Sequence, residues 1–254
     1  MFFVGCSDLQ KALKSDDVTL KNDLAQELYE QGKFRKAAQL YAQLKEKYRG
    51  KPQAERIVFF YANSLLNTKN YILAAYEFET FVKAYPKSQK ADEAYFLMAF
   101  SHYKTSPNFS LDQADTYEAL DKIQEFINRY PASERMAEAN AMAKELREKT
   151  EKKAFENAKQ FNTIRDYKAS ITALDNFIAD NPGTTYREGA LFVQFSAATT
   201  LAINSVLYKK ENRLKDAQSK FENFKRLYPD SYHMPDAVEM MKDIEEEIRT
   251  FAFN

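Results

Sequence analysis

Large apolar residues recur along the chain at the three- and four-residue spacings of a helix face, and one arrangement of them repeats. Phe81 to Ser88 reads FVKAYPKS, Phe126 to Ser133 FINRYPAS, Phe177 to Thr184 FIADNPGT and Phe224 to Ser231 FKRLYPDS. A degenerate copy starts at Leu44, with Tyr48 in place and Arg49 where the proline would stand, so the copies step by 37, 45, 51 and 47 residues. The aromatic pair four apart lies on one helix face, and the proline, which lacks an N–H and clashes with the preceding turn, ends the helix. Ser88, Ser133, Thr184 and Ser231 are placed to cap the next helix, and Thr185 with Glu188 fits a capping box.

Upstream of each copy a large residue precedes a small one by three: Phe34 and Ala37, Tyr71 and Ala74, Thr116 and Ala119, Tyr167 and Ser170, Leu214 and Ala217, with Thr116 the exception in size. Small residues let two helices approach closely, and the large ones fill the space between them. Preceding helices align too, at Leu24-Ala25 with Leu28-Tyr29, Tyr61-Ala62 with Leu65-Leu66 and Met98-Ala99 with His102-Tyr103; Gly32 marks the first turn. This pattern resembles the tetratricopeptide repeat. The resemblance implies an all-α chain, a right-handed superhelical solenoid of about five helical hairpins in which each repeat touches only its neighbours. The expected repeats are 18–51, 55–88, 92–133, 134–184 and 185–231 within a single solenoid, 18–254, closed by a capping helix over 235–250.

Repeats three, four and five exceed the usual length of about 34 residues. Thr105 to Ser110, rich in turn formers, predicts a loop between the helices of repeat three. In repeat four Met136, Ala139, Ala143, Leu146, Thr150, Ala154, Ala158 and Phe161 hold a helical period, which predicts a first helix of about 29 residues projecting as an arm. In repeat five a long first helix is expected from Tyr186 to Lys209.

Composition narrows the function. The 254 residues carry 37 Lys plus Arg against 37 Asp plus Glu, so there is no net positive field to collect nucleic acid. One Cys excludes an internal disulfide framework, and His102 and His233 lie in no metal-binding spacing, so neither metal nor cofactor is expected. Ser101-His102 lacks a nucleophile elbow, Gly183 to Gly189 is no phosphate loop, and the Glu245 to Glu247 run reads as a solvated helix face. The chain is read as a non-enzyme.

Mapping the first three repeats onto the tetratricopeptide frame puts Asn22, Gln26, Tyr29, Arg56, Phe59, Asn63, Asn67, Phe96, Phe100 and Tyr103 on the concave, first-helix surface, with Phe59, Phe96 and Phe100 surplus to the core. Aromatics and amides lining a groove suit an extended peptide, whose backbone needs polar partners and whose side chains need pockets; burial of the rings by neighbouring helices is the other reading. Repeat proteins that grip a chaperone tail use a lysine and asparagine on repeat one and basic residues on repeat three. Asn22, Gln26, Glu93 and Leu97 stand there instead, which argues against such a co-chaperone.

The first seven residues, MFFVGCS, look like the end of a bacterial lipoprotein signal, with Gly5 before the acceptor Cys6 and Phe3 departing from the usual Leu. Residues 1–17 are thus expected to be a truncated signal end and polar tether, and a cytosolic start with an incidental thiol is the other reading of the stub alone. In combination, the cysteine, the tether, the five repeats and the long fourth-repeat helix closely resemble the BamD (ComL) family of lipoproteins of the outer-membrane β-barrel assembly machinery. That resemblance implies a scaffold and receptor, lipidated at Cys6 and held at the periplasmic face of the outer membrane. It would bind unfolded outer-membrane protein segments, a barrel-forming insertase with periplasmic domains, and accessory lipoproteins, with no nucleic acid partner. The alternatives are a periplasmic repeat protein linking cell wall to outer membrane and a soluble peptide-binding adaptor. The first often carries an N-terminal coiled coil, and no heptad run precedes Val18.

Overall fold

The prolines act where the sequence places them. In the computed structural model, which describes residues 5–252 and side chains from residue 8 to residue 250, each proline motif closes a helix. The residues before the prolines, Tyr85, Tyr130, Asn181 and Tyr228, take nearly one conformation, with φ between −136° and −127° and ψ between 58° and 66°. A following proline excludes the helical region for them, and each still donates its N–H to the carbonyl of the motif Phe four residues earlier. In the degenerate copy, where Arg49 replaces proline, the chain instead turns through Gly50 at φ 78°.

All twelve elements among the described residues are helices: α1 (Gly5–Lys14), α2 (Val18–Glu30), α3 (Phe34–Lys47), α4 (Ala54–Asn67), α5 (Tyr71–Ala84), α6 (Ala91–Thr105), α7 (Ala114–Arg129), α8 (Met136–Thr163), α9 (Tyr167–Asp180), α10 (Arg187–Ile203), α11 (Leu207–Leu227) and α12 (Met234–Ala252). The most extensive contacts run between consecutive helices, as stacked tetratricopeptide-type hairpins require, and α1 with α3 and α10 with α12 also touch. They divide the chain into two compact units, one through Leu146 and one from Arg147, where a single array was expected; the division falls inside α8.

In unit 1 the predicted packing positions are occupied as expected. Ala37, Ala74 and Ala119 have no exposed surface, nor do Leu44, Phe81 and Phe126. Unit 2 repeats this with Ser170, Ala217 and Phe224, and with Phe177 at 4% exposure. The loop after Thr105 is present, α8 is 28 residues long, and α12 matches the predicted capping helix, with Pro235 in its first turn.

Four expectations need correction. The tether is largely helical: Gly5–Lys14 forms α1, and Leu9 and Ala12 bury against the α2–α3 hairpin. Helix α8 is no free arm, because Ala139, Met142, Ala143 and Leu146 enter one core and Phe155 and Ala158 another, leaving the expected Ala154 and Phe161 exposed. The buried stripe shifts to Phe155, whose ring Gly189 of α10 admits; a Cβ on that glycine would stand 3.3 Å from it. The extra length of repeat five lies in its second helix. Helix α10 stops at Ile203 because Asn204 and Ser205 turn their side chains back onto the carbonyls of Thr200 and Leu201, and Arg213 donates to the Ser205 hydroxyl. Finally, Glu188 forms no capping box with Thr185 but accepts the Ser231 hydroxyl.

That last contact is one of a set. Ser88 donates to Glu55, Ser133 to Asp92 and Ser231 to Glu188, while each hydroxyl also accepts the N–H two residues on. The motif serine therefore ties the end of a hairpin to a carboxylate in the first turn of that hairpin's first helix, where the helix dipole favours negative charge.

Candidate functional site

Four helices of unit 1 build a cavity of about 480 Å³, lined by Tyr29 of α2, by Glu55, Arg56, Phe59, Phe60 and Asn63 of α4, by Phe81 of α5, by Glu93 of α6, and by Pro52 and Lys90 of the connections. Its floor is aromatic because α4 spends two adjacent positions on rings. Phe59 turns into the core against Phe81, with centroids 5.5 Å apart, whereas Phe60 meets the edge of Tyr29 at 4.8 Å and stacks on Tyr41 at 6.0 Å. Edge-to-face and offset pairs at such separations are favourable beyond simple burial. Burial, then the Glu93 charge, raises the Tyr29 hydroxyl above its ordinary value, so it stays a neutral donor.

The rim is charged in both signs. The Arg56 guanidinium lies 5.5 Å over the Phe60 ring and donates to Gln26 at 2.6 Å; the Lys90 ammonium lies 5.3 Å over Phe59 and pairs with Glu93 at 2.8 Å. Cations over ring faces are held without losing access to water, so they remain available to an incoming carboxylate or carbonyl.

Of the ten groove residues read from sequence, Tyr29, Arg56, Phe59 and Asn63 line this cavity. Gln26 supports it through Arg56. Asn22 faces Asp23 at a long 3.5 Å, and Asn67 donates to the Asn63 carbonyl on its own helix. Phe59 and Phe96 are not surplus to the core: they are 6% and 5% exposed, because α4 and α6 pack these faces against the motif rings Phe81 and Phe126. Phe100 is half-buried, stacked on Phe96 at 6.3 Å and covered by Lys104. Tyr103 donates to Glu145 at 2.6 Å, and that hydrogen bond, with burial, pushes its hydroxyl up to about 12.

Sequence reasoning missed Pro52, Glu55, Phe60, Lys90 and Glu93 as lining residues and read Phe81 as a core ring alone. Phe60 was masked by Phe59 beside it, and Lys90 belongs to the linker after the Ser88 motif rather than to a helix face. Glu93 had been noticed only as a departure from the chaperone-tail pattern; here it is the rim carboxylate. The Cys6 side chain lies outside the described residues. Among the described residues no group of three or more His, Cys, Asp or Glu is placed to hold a metal ion, and no helix is long and apolar enough to cross a membrane.

Comparison with known proteins places this architecture. The family model YfiO, described as an outer membrane lipoprotein, matches residues 22–206 and, in a second match, 148–251. The outer membrane protein assembly factor BamD of Helicobacter pylori is 27% identical over 93 residues, which span 37% of this chain and 42% of that protein. With the family match covering most of the repeat array, the chain belongs to the YfiO (BamD-type) family of outer membrane lipoproteins.

Proposed function

We propose that this protein is a non-catalytic receptor and scaffold in the insertion of β-barrel proteins into the outer membrane, and that the cavity of unit 1 receives an extended segment of the unfolded barrel. The observation that carries this is the cavity itself: a floor of Tyr29, Phe59 and Phe60 under a rim of Arg56, Lys90, Glu55 and Glu93. Outer-membrane strands alternate aromatic and other apolar side chains with polar ones. An extended segment of that kind can seat one ring on the floor while its carbonyls and any terminal carboxylate meet the Arg56 and Lys90 donors. Around this receptor role stand lipid anchoring through Cys6 at the periplasmic face and docking to a barrel-forming insertase with periplasmic domains. The name of the Helicobacter relative, an outer membrane protein assembly factor, supports the same reading.

Arg56 and Asn63 can be changed without opening the core, since Arg56 is exposed and Asn63 half-buried. Arg56→Glu with Asn63→Ala is expected to weaken binding of a barrel-protein C-terminal peptide at least about tenfold, the size of one charged and one neutral hydrogen bond, while the melting curve stays in place. Fluorescence anisotropy with a labelled peptide reads this, and unchanged affinity would reject the site. Phe59→Ala is unsuitable here, because a ring 6% exposed is a core residue and its removal would unsettle the hairpin.

A further inference from the structure

Unit 2 has an apolar end that the groove reading does not use. Its helices alternate in direction, so the α8–α9 turn and the α10–α11 connection lie at the same end of the unit. Large apolar side chains stand in water there: Ile164 is 63% exposed, Val206 56%, Leu207 71% and Tyr208 80%, with Phe161 at 39%. The short turns of unit 1, Gln31-Gly32-Lys33 and Thr68-Lys69-Asn70, are polar throughout, so hairpin turns in this fold do not require such residues.

The geometry selects the occupant. Leu207 and Tyr208 open α11, where neighbouring side chains diverge by about 100°, and Val206 precedes them as the extended N-cap at φ −64° and ψ 149°. They therefore form no flat face, and a rigid partner covering one would leave another in water. A fluid interface surrounds all three. The accompanying charges suit the same medium: Arg165 and Lys209 are exposed, and the Lys209 ammonium lies 5.1 Å over the Tyr208 ring. Tyrosine with flanking Lys and Arg is the composition that settles at headgroup depth, the rings in the acyl boundary and the cations among the phosphates. Membership of an outer membrane lipoprotein family puts a bilayer within reach.

We propose that this end of unit 2 is a membrane-contact edge that seats Ile164, Leu207 and Tyr208 in the headgroup layer of an anionic bilayer. It orients the protein on the membrane independently of the lipid at Cys6 and of the unit 1 cavity. The test uses the full-length chain with Cys6→Ser, so that acylation does not mask a weaker contact, in flotation with phosphatidylethanolamine vesicles containing phosphatidylglycerol. The parent chain is expected to float with the vesicles, less so as salt is raised. Leu207→Asp with Tyr208→Asp is expected to reduce partitioning at least about tenfold, and Ile164→Asp by less, whereas Ile72→Asp in unit 1 leaves it unchanged. Circular dichroism melting establishes that each variant is folded, and Lys209→Glu serves as a second variant that alters no apolar contact. Absence of parent flotation, or equal flotation of Leu207→Asp with Tyr208→Asp, overturns the proposal. So does a concentration-dependent dimer abolished by that variant without vesicle binding, which would assign the patch to self-association.

Discussion

Replacing Phe126 by alanine is expected to cost about 3–5 kcal/mol, the range for deleting a fully buried ring whose site cannot collapse. Phe126 has no exposed surface and sits between Phe96, at 5.5 Å, and Tyr130, at 5.7 Å, in a cluster with Ile123, Ala139 and Leu146. Three helices, α6, α7 and α8, meet on this ring, so its loss leaves a cavity that no single helix can close by shifting. Phe126→Leu, which retains most of the volume, should cost less than about half as much. Tyr117→Ala, on the same helix but 57% exposed, should change stability by no more than about 0.5 kcal/mol. Urea unfolding followed by circular dichroism gives all three values. A Phe126→Ala loss below about 1 kcal/mol would mean that the motif ring does not tie α7 to its neighbours.

The second large effect is electrostatic. Glu77, in the middle of α5, is 2% exposed, and one of its carboxylate oxygens is buried without a hydrogen-bond partner. The other accepts from the Lys45 ammonium of α3 at 2.6 Å, and that ammonium also lies 5.2 Å over the Tyr61 ring. Burial, then the Glu77 charge, raises the Tyr61 hydroxyl, whereas Lys45 lowers it. Lys45→Met removes the one ionic partner that Glu77 has among the described residues and is expected to cost about 3 kcal/mol, at the low end for a broken buried pair because Lys45 keeps a quarter of its surface. Lys45→Met combined with Glu77→Leu should recover most of this, since two apolar side chains leave no charge stranded. If the double variant is no more stable than Lys45→Met, the pair contributes through packing and the electrostatic reading fails.

How much of this was legible in the sequence depends on whether the signal was local. The helix ends at Pro86, Pro131, Pro182 and Pro229 were, because a missing N–H acts through the chain itself. So were the buried Ala37, Ala74 and Ala119, whose size has no other use in an amphipathic stripe. The α10–α11 break was not, for Asn204-Ser205-Val206 contains neither Gly nor Pro, and its stop depends on Arg213 reaching back to Ser205. Helix α1 was missed because three apolar positions, Leu9, Ala12 and Leu13, are a weak pattern until α2 and α3 are present to cover them. At the candidate site a helical period assigns residues to a face but not to a depth. Phe59 and Phe96 share a face with the groove, yet their rings turn inward onto Phe81 and Phe126, a choice made by the neighbouring hairpin.

The central claim, a receptor and scaffold within outer-membrane barrel assembly, is tested most directly by isolating the native protein from detergent-solubilised envelopes and identifying co-purifying chains by mass spectrometry. The account predicts stoichiometric recovery of a large outer-membrane barrel protein bearing periplasmic domains, with smaller amounts of unfolded barrel substrates. Recovery of cell-wall-linked proteins instead, with no barrel protein at stoichiometric yield, would contradict it and leave a helical repeat array serving a different partner.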